Sequence, residues 1–521
     1  MIASRLKTEY LVNPMGIDIQ HPRLQWTCEG GVKQTAYQIV TEKWDSGKAV
    51  GDSMCAYYPQ ELASGERVNW KIRLWDENDE PGEWSEAFFE MGLLSPSDCP
   101  TRERMGWTGD SQVFFGTASY LADYAAFARK HLRDVFDRQW KNGKLPQIAP
   151  YANEDWFMNV MNGSVGWADV GILMPYRFYK KYGDRQILKD NFENMLLYAA
   201  FMISRCGKWG GIYAKPLGIS KENRKYAVNA GQSYGEWAEP NDVKAFVWTD
   251  FAEPHPEEST AYTAWVLGVM VEICDILGRN EYIPRLKEYS EGAKKAYQEM
   301  VSKPKFTLDT DRQAKLVRPL YMNLLNEEQT EFAKKRLIRA LDNYGWRLGT
   351  GFLSTPMILY VLADMDIEYA YRLLENEEIP GWLSMPKSGA MTIWEAWEGP
   401  KGDAGIASLN HYSKGAVCKW LFDTCCGIQV EWENRFVVAP RPGGHLDFAK
   451  ASYDSIYGTI ESGWEKKDGE TVFTVTVPAN CEATVRLPDG SERVQQSGTM
   501  TYAVQRPDQH TEEGNSVPTD I

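Results

Sequence analysis

The sequence predicts a multidomain, mainly α-helical protein: an (α/α)6 toroid with a β-sandwich at each end. Three observations carry this. Apolar and polar residues alternate with period two in the first ~95 residues, eleven helical segments follow without interruption by strands, and period-two alternation returns after residue 427.

In the N-terminal part, Val68, Trp70, Ile72 and Leu74 alternate with Asn69, Lys71 and Arg73, the pattern of a half-buried strand. Ala36 to Val40 reads as another. The turn-forming runs Asp45-Ser46-Gly47 and Glu77 to Gly82 separate such strands. Residues 1–95 are therefore expected to form a small fibronectin-III-like sandwich.

Residues 96–427 are expected to form the helical barrel, with segments near 110–121, 123–138, 167–181, 185–205, 259–277, 281–301, 312–323, 327–342, 355–365, 367–376 and 410–424. Ala261 to Leu277 is apolar almost all round, as suits a helix buried on both sides. Glu327 to Leu341 is amphipathic, with Phe332, Leu337 and Ile338 set against Lys334, Lys335 and Arg339. Inner and outer helices of a toroid have these two textures. A generic helical array shares them, but no fixed-period repeat points to a solenoid. Beyond residue 427, Phe473, Val475 and Val477 alternate with Thr474 and Thr476, so 428–507 reads as a second sandwich and 508–521 as a disordered tail.

Composition narrows the class. Lys+Arg number 57 against 72 Asp+Glu, a net charge of −15, which argues against nucleic acid or an anionic membrane as partner. No stretch of about 18 uncharged apolar residues is seen, so no membrane span is expected. The nine cysteines are scattered without metal-ligand spacing, so neither a zinc site nor a disulfide framework is indicated. With no apolar leader after Met1, a reducing cytoplasm is the expected location. Twenty tryptophans are present. Most are expected in the core, yet indole also offers a flat face to sugar C–H groups and an N–H to hydroxyls.

Three stretches concentrate chemistry. Asp98 to Asp110 holds Asp98, Glu103, Asp110, Arg102, Arg104 and Trp107, just before the first helix, where Asp110 could cap the N-terminus. A capped helix with surface ion pairs explains the pattern as well as a catalytic loop does. Met391 to Glu398 places Glu395 and Glu398 among Trp394 and Trp397, where a partly desolvated carboxyl gains a raised pKa. Ser408 to Gly415 opens the last helix with His411, a residue type more often structural than functional.

At these places the chain resembles the bacterial α-L-rhamnosidases of glycoside hydrolase family 78. Cys99 to Asp110, Thr392 to Trp397 and Leu409 to Tyr412 match the family's Cys-Pro loop, Thr-x-Trp-Glu-x-Trp segment and Leu-Asn-His-Tyr helix start. Trp44 to Lys48, Gly351 to Pro356 and Pro440 to Trp464 look like further family segments. The resemblance implies hydrolysis of terminal α-L-rhamnosides with inversion, Glu103 being the general acid and Glu395 the general base. It further implies that Asp98 and Asp110 hold ring hydroxyls, that Trp107, Trp167 and Trp237 wall the pocket, and that His411 binds a hydroxyl. Arg102 and Trp394, beside the two glutamates, complete the candidate substrate-binding set. No metal or cofactor is implied. The implied partners are rhamnose-containing glycosides or oligosaccharides, and a homodimer is an allowed assembly.

Two departures qualify the resemblance. Many relatives read Arg-Asp-Glu-Arg where this chain has Arg102-Glu103-Arg104. Relatives also usually place further β-domains and a first barrel helix ahead of the Cys-Pro loop, whereas here Cys99 follows Gly92 to Asp98 at once. An internally shortened member is therefore expected, its barrel lacking the first helix and open or repaired near 95–110. A catalytically impaired rhamnoside-binding remnant and another inverting (α/α)6 glycosidase are the alternative readings.

Overall fold

A computed structural model describes residues 1–90, 105–151, 159–401 and 408–505, except 15, 16, 18, 20, 61, 63–65, 211–213, 215, 246, 248, 249, 251, 252 and 433. The candidate residues Asp98, Arg102 and Glu103 lie outside the described residues, as does the C-terminal tail from 506.

The N-terminal part is a sandwich of two antiparallel sheets. One runs β1–β2–β5 (Ile2–Thr8, Arg23–Glu29, Cys55–Tyr57) and the other β4–β3–β6–β7 (Ala49–Val50, Ala36–Thr41, Arg67–Trp75, Ser85–Glu90). The alternation in β6 works as the sequence implies: Val68, Trp70, Ile72 and Leu74 are buried, and the last three pair across to β3. The C-terminal part is a second sandwich, with sheet order β10–β11–β12–β15 and β14–β13–β9–β8 (β8 Ile428–Trp432, β9 Arg435–Val438, β10 Phe448–Ser455, β11 Gly458–Lys467, β12 Glu470–Val477, β13 Glu482–Arg486, β14 Glu492–Gln495, β15 Gly498–Gln505).

Between them lie the helices α1 (Thr108–Leu121), α2 (Ala125–Asp137), α3 (Val170–Tyr182), α4 (Arg185–Asp190), α5 (Phe192–Arg205), α6 (Pro256–Leu277), α7 (Ile283–Val301), α8 (Gln313–Tyr321), α9 (Glu327–Asn343), α10 (Thr355–Met365) and α11 (Ile367–Leu374). The last helical stretch is continuous but irregular: a 3₁₀ turn Tyr412–Ala416, an α turn Val417–Trp420 and a π turn Leu421–Cys425. Helices α1, α3, α6, α8, α10 and this last stretch form the inner layer. The last packs on the first, so the ring closes. Helices α2, α4–α5, α7, α9 and α11 lie outside, each packed against the inner helix before it. Counting α4–α5 as one interrupted helix, the described residues hold six inner and five outer helices.

Of residues 95–110, where an open or repaired barrel is expected, 95–104 lie outside the described residues and 105–110 are anchored. The Thr108 N–H donates to the Gln147 carbonyl at 2.8 Å and the Ala149 N–H to Gly106 at 2.9 Å. Two other expectations need correction. Trp107, not Asp110, occupies the N-cap of α1, and Asp110 falls in the first turn. In α9 the buried stripe is Ala333, Leu337, Ala340 and Leu341, while Phe332 is 46 % exposed. The stripe thus runs one residue later, as the i, i+4, i+7, i+8 spacing requires. Helix α6 is long and apolar enough to cross a membrane by length and composition, and 61 % of that window is buried inside the protein, as befits a core helix.

Local signals set the helix ends. Asn326 and Gln329 make a reciprocal capping box at the start of α9, and Gly183 and Gly278, both left-handed, close α3 and α6. Both sandwiches pack at the C-terminal ends of the inner helices. Tyr10 meets Phe178 and Tyr182 of α3, and Tyr453 meets Tyr120 of α1. The Trp464 indole donates to the Cys425 carbonyl at 2.9 Å. Arg5 joins the two sandwiches through Asp454 at 3.1 Å. The opposite end of the barrel is left clear of both.

The N-terminal contact is ionic as well as aromatic. Buried Arg23 reaches Glu9 at 2.7 Å and Asp184 at 2.6 Å, Arg129 reaches Asp184 at 3.0 Å, and the Tyr10 hydroxyl donates to Asp184 at 3.1 Å. Burial pushes the Asp184 carboxyl up, but Arg23 and Arg129 outweigh it and hold it below the usual range. Its stabilising contribution is therefore present at neutral pH and is lost only as pH falls through that lowered value. Arg23→Met leaves Asp184 and Glu9 buried with less countercharge. It should cost about 3–5 kcal/mol in urea unfolding at pH 7, and a loss under ~1 kcal/mol would show the contact to be incidental.

Candidate active site

The six inner helices begin at the clear end, and their first residues meet there. Helix α1 follows Trp107, α3 begins three residues after Trp167, α6 follows His255, α10 follows Ser354, and the last helix follows His411. Peptide dipoles make such ends positive, so they favour carboxylates.

Glu395 lies in the segment between α11 and the last inner helix and is 3 % exposed. Its Oε1 accepts the Trp237 indole N–H at 3.0 Å, and its Oε2 accepts the Ser408 N–H at 3.3 Å. Backbone bonds from Glu395 to Ser408 and from His411 to Ile393, both 2.9 Å, run the two motif segments side by side. That pairing explains how residues sixteen apart in sequence share a site. The His411 Nε2 stands 3.2 Å from Asp110 Oδ1 and 3.9 Å from Glu395 Oε1, while its Nδ1 is 2.9 Å from the Ser413 hydroxyl. The imidazole thus bridges a carboxylate of the first helix to one ahead of the last.

Around this trio stands an aromatic group centred on Tyr234. Its ring lies 6.2 Å from Trp107, 4.5 Å from Trp167 and 5.7 Å from Trp237, and its hydroxyl donates to Gln147. Trp167 also stacks on Phe352 at 4.9 Å. Helix α1 can accept the Trp167 indole because residue 109 is glycine: a Cβ there would sit 2.6 Å from the ring. Trp107 and Trp237 remain half-buried, whereas Trp394 is buried with its ring against Gly399 and packs the Glu395 segment.

The Tyr234–Trp237 loop is fixed from below by charge. Arg318, 0 % exposed, reaches Glu236 at 2.7 Å, Glu257 at 2.8 Å and Glu258 at 3.1 Å. Glu236 also accepts from the Ser354 N–H at 2.7 Å and hydroxyl at 2.8 Å. The Phe352 N–H donates to the Trp237 carbonyl at 2.6 Å, an approach that only glycine at 351 permits.

The structure therefore gathers Trp107, Asp110, Trp167, Trp237, Glu395 and His411 of the expected residues, and supports the site through Trp394. Tyr234, Arg318 with its three glutamates, and Lys414 were not expected. Tyr234 stands three residues before Trp237, which the family likeness picked out. An arginine in the middle of an otherwise apolar-faced inner helix was a readable signal that a buried acid waits opposite. Among the described residues no group of three His, Cys, Asp or Glu could hold a metal ion.

Comparison with known proteins bears on what this arrangement belongs to. A model of the bacterial alpha-L-rhamnosidase 6 hairpin glycosidase domain matches residues 91–425, more than half of the chain. The chain belongs to the bacterial α-L-rhamnosidase family. Models of the family's Rha78A-like N-terminal immunoglobulin domain and C-terminal domain match residues 3–95 and 428–502. An α-L-rhamnosidase of Streptomyces avermitilis is 31 % identical over 422 residues, covering 79 % of this chain and 38 % of the relative. One of Formosa agariphila is 31 % identical over 418 residues, covering 78 % and 42 %. The chain thus spans about two fifths of the length of these curated relatives. Among solved structures, an α-L-rhamnosidase from Dictyoglumus thermophilum superposes with TM-score 0.81 at 16 % identity over 97 % of this chain and 99 % of that one. The Streptomyces avermitilis enzyme complexed with L-rhamnose gives 0.67 at 24 % identity over 97 % and 53 %. The first likeness, almost end to end in both, shows that this compact sandwich–toroid–sandwich layout exists in another solved chain.

Removing the charge under the Tyr234–Trp237 loop tests its place in the family site. Arg318→Met should lower stability by about 3–5 kcal/mol and raise hydrogen–deuterium exchange in peptides covering 233–239 while leaving 458–477 unchanged. Unchanged exchange in 233–239 would mean that other contacts hold the loop.

Proposed function

We propose that the chain hydrolyses terminal α-L-rhamnosides with inversion of configuration, Glu395 acting as general base and Glu103 as general acid. The observation that carries this is the convergence of Glu395, His411 and Asp110 beside the Trp107–Trp167–Trp237 aromatic group at the open end of a rhamnosidase-family barrel.

The chemistry follows from what each group can do. Inversion needs a carboxylate that takes a proton from water on one face of the sugar, and a carboxylic acid that gives one to the leaving oxygen on the other, roughly 6.5–9.5 Å apart. Glu395 suits the first role: two N–H donors orient it and an imidazole lies 3.9 Å from it. Glu103 lies outside the described residues, and the family motif alone supports its role. Asp110 and His411 form a donor–acceptor pair that can take a vicinal diol, and Asp110 would also oppose the positive charge of an oxocarbenium-like transition state. The indoles would pack on the apolar face and methyl group of the sugar.

Release of nitrophenol from an aryl α-L-rhamnoside by purified protein is the expected activity. Glu395→Gln and Glu103→Gln should each lower kcat by at least ~10²-fold, and proton NMR of early product should show the opposite anomer to the substrate. A variant with near-wild-type rate would remove that glutamate from its role. Calorimetric binding of L-rhamnose with no product would favour a binding protein instead.

A further inference from the structure

Lys414 sits in the first turn of the last inner helix, three residues after His411, and is 1 % exposed. A buried ammonium ordinarily lies against a carboxylate, because losing water from a bare charge is costly. Among the described residues no carboxylate comes within 4 Å of this one. Its Nζ instead stands 3.9 Å from the centroid of the Trp397 ring and donates to the Ala238 carbonyl at 3.4 Å.

The residue it holds is unusual. Ala238 has φ +54°, in the left-handed region that a side chain enters only at a cost of about 1–3 kcal/mol. Such a conformation persists only if its surroundings impose it. The residue before it is Trp237, whose indole N–H donates to Glu395. The Phe352 N–H holds the Trp237 carbonyl, and Lys414 holds the next one along. Beyond these contacts, three carboxylates act on the ammonium by charge: Glu398, Glu395 and Glu236. Their attraction is mutual, so a cation at 414 favours the ionised form of Glu395.

We propose that Lys414 is a positioning residue for Glu395: its ammonium fixes the strained Ala238 carbonyl, keeps the Trp237 indole aimed at the carboxylate, and supplies the positive charge that favours an ionised base. This rests on the reading of Glu395 as the general base. Burial lowers the Lys414 ammonium to about 7, against the opposing pull of Glu398, Glu395 and Glu236. The charge is therefore present below about 7 and withdrawn above it. An unfolded lysine keeps its proton to about 10.4. Between those values the unfolded chain binds more protons than the folded one, and this group makes stability rise with pH.

The test uses the full chain with Lys414→Met, which removes donor and charge, and Lys414→Arg, which keeps both. On an aryl α-L-rhamnoside, Lys414→Met should lower kcat on the order of tenfold with KM within about threefold. The acidic limb of its kcat–pH profile should move up by about half a pH unit, because Glu395 loses its cation. Lys414→Arg should return that limb to the wild-type position. Wild-type kcat and an unmoved limb in Lys414→Met would overturn the proposal, as would an equal limb shift in Lys414→Arg. Should Lys414→Met not fold, Lys414→Gln carries the same limb criterion. Thermal unfolding from pH 7 to 10 gives a readout free of activity: the wild-type Tm should gain on that of the variant as pH rises, and a constant gap would overturn the buried-cation premise. A wild-type protein that releases no nitrophenol would sink the hydrolase reading itself, a result distinct from any of these.

Discussion

One guanidinium governs where the site can be. Arg318 lies inside the barrel wall with Glu236, Glu257 and Glu258 around it, three acids for one fixed cation. Burying such a group costs several kcal/mol per ion, which close ion pairs and further hydrogen bonds offset. Here Glu257 also accepts from the Tyr297 hydroxyl at 2.7 Å, and Glu236 takes both donors of Ser354. Glu257 and Glu258 stand in the first turn of α6, where the positive end of the helix dipole adds to the arginine. The result ties α6, α7, α8 and α10 to the loop bearing Tyr234 and Trp237. Move that loop and the donor to Glu395 is lost.

The rest of the molecule is arranged so that this end stays open. Both sandwiches seat on the C-terminal ends of the inner helices, one through Arg23, Tyr10 and Asp184, the other through Trp464, Tyr453 and the backbone near Cys425. Inner-helix N-termini, clear of both sandwiches, supply aligned N–H groups and positive dipole ends just where carboxylates cluster. Positive helix ends and buried glutamates thus meet on one side of a chain of net charge −15. The tryptophans divide along the same line. Trp26, Trp70, Trp397, Trp420 and Trp464 are fully buried, while Trp107 and Trp237 keep part of their faces free.

Most helices were legible because periodicity is a local property. Segments expected at 185–205, 281–301, 327–342 and 355–365 appear within two residues of those bounds, and β6 shows the alternation read from its sequence. Asp110, Glu395 and His411 stood out in chemically dense stretches, but that they and Trp237 meet was legible only through a family likeness, since nothing local says that four distant stretches converge. What escaped was long-range pairing. Arg318 needs acids 60 and 82 residues away, and Lys414 needs a carbonyl 176 residues away. No window of sequence reports such distances. Phe332 misled for a simpler reason: its large apolar side chain suggested a place in a stripe that Leu337 and Leu341 share with two small alanines, Ala333 and Ala340.

The most direct measurement is a crystal structure of the protein grown with L-rhamnose. The sugar is expected beside Trp107, Trp167 and Trp237, with ring hydroxyls on Asp110 and His411 and the anomeric carbon facing Glu395 across one water. Glu103 should approach from the opposite face. Rhamnose bound elsewhere, or Glu103 and Glu395 opening into separate cavities, would contradict a single two-glutamate site.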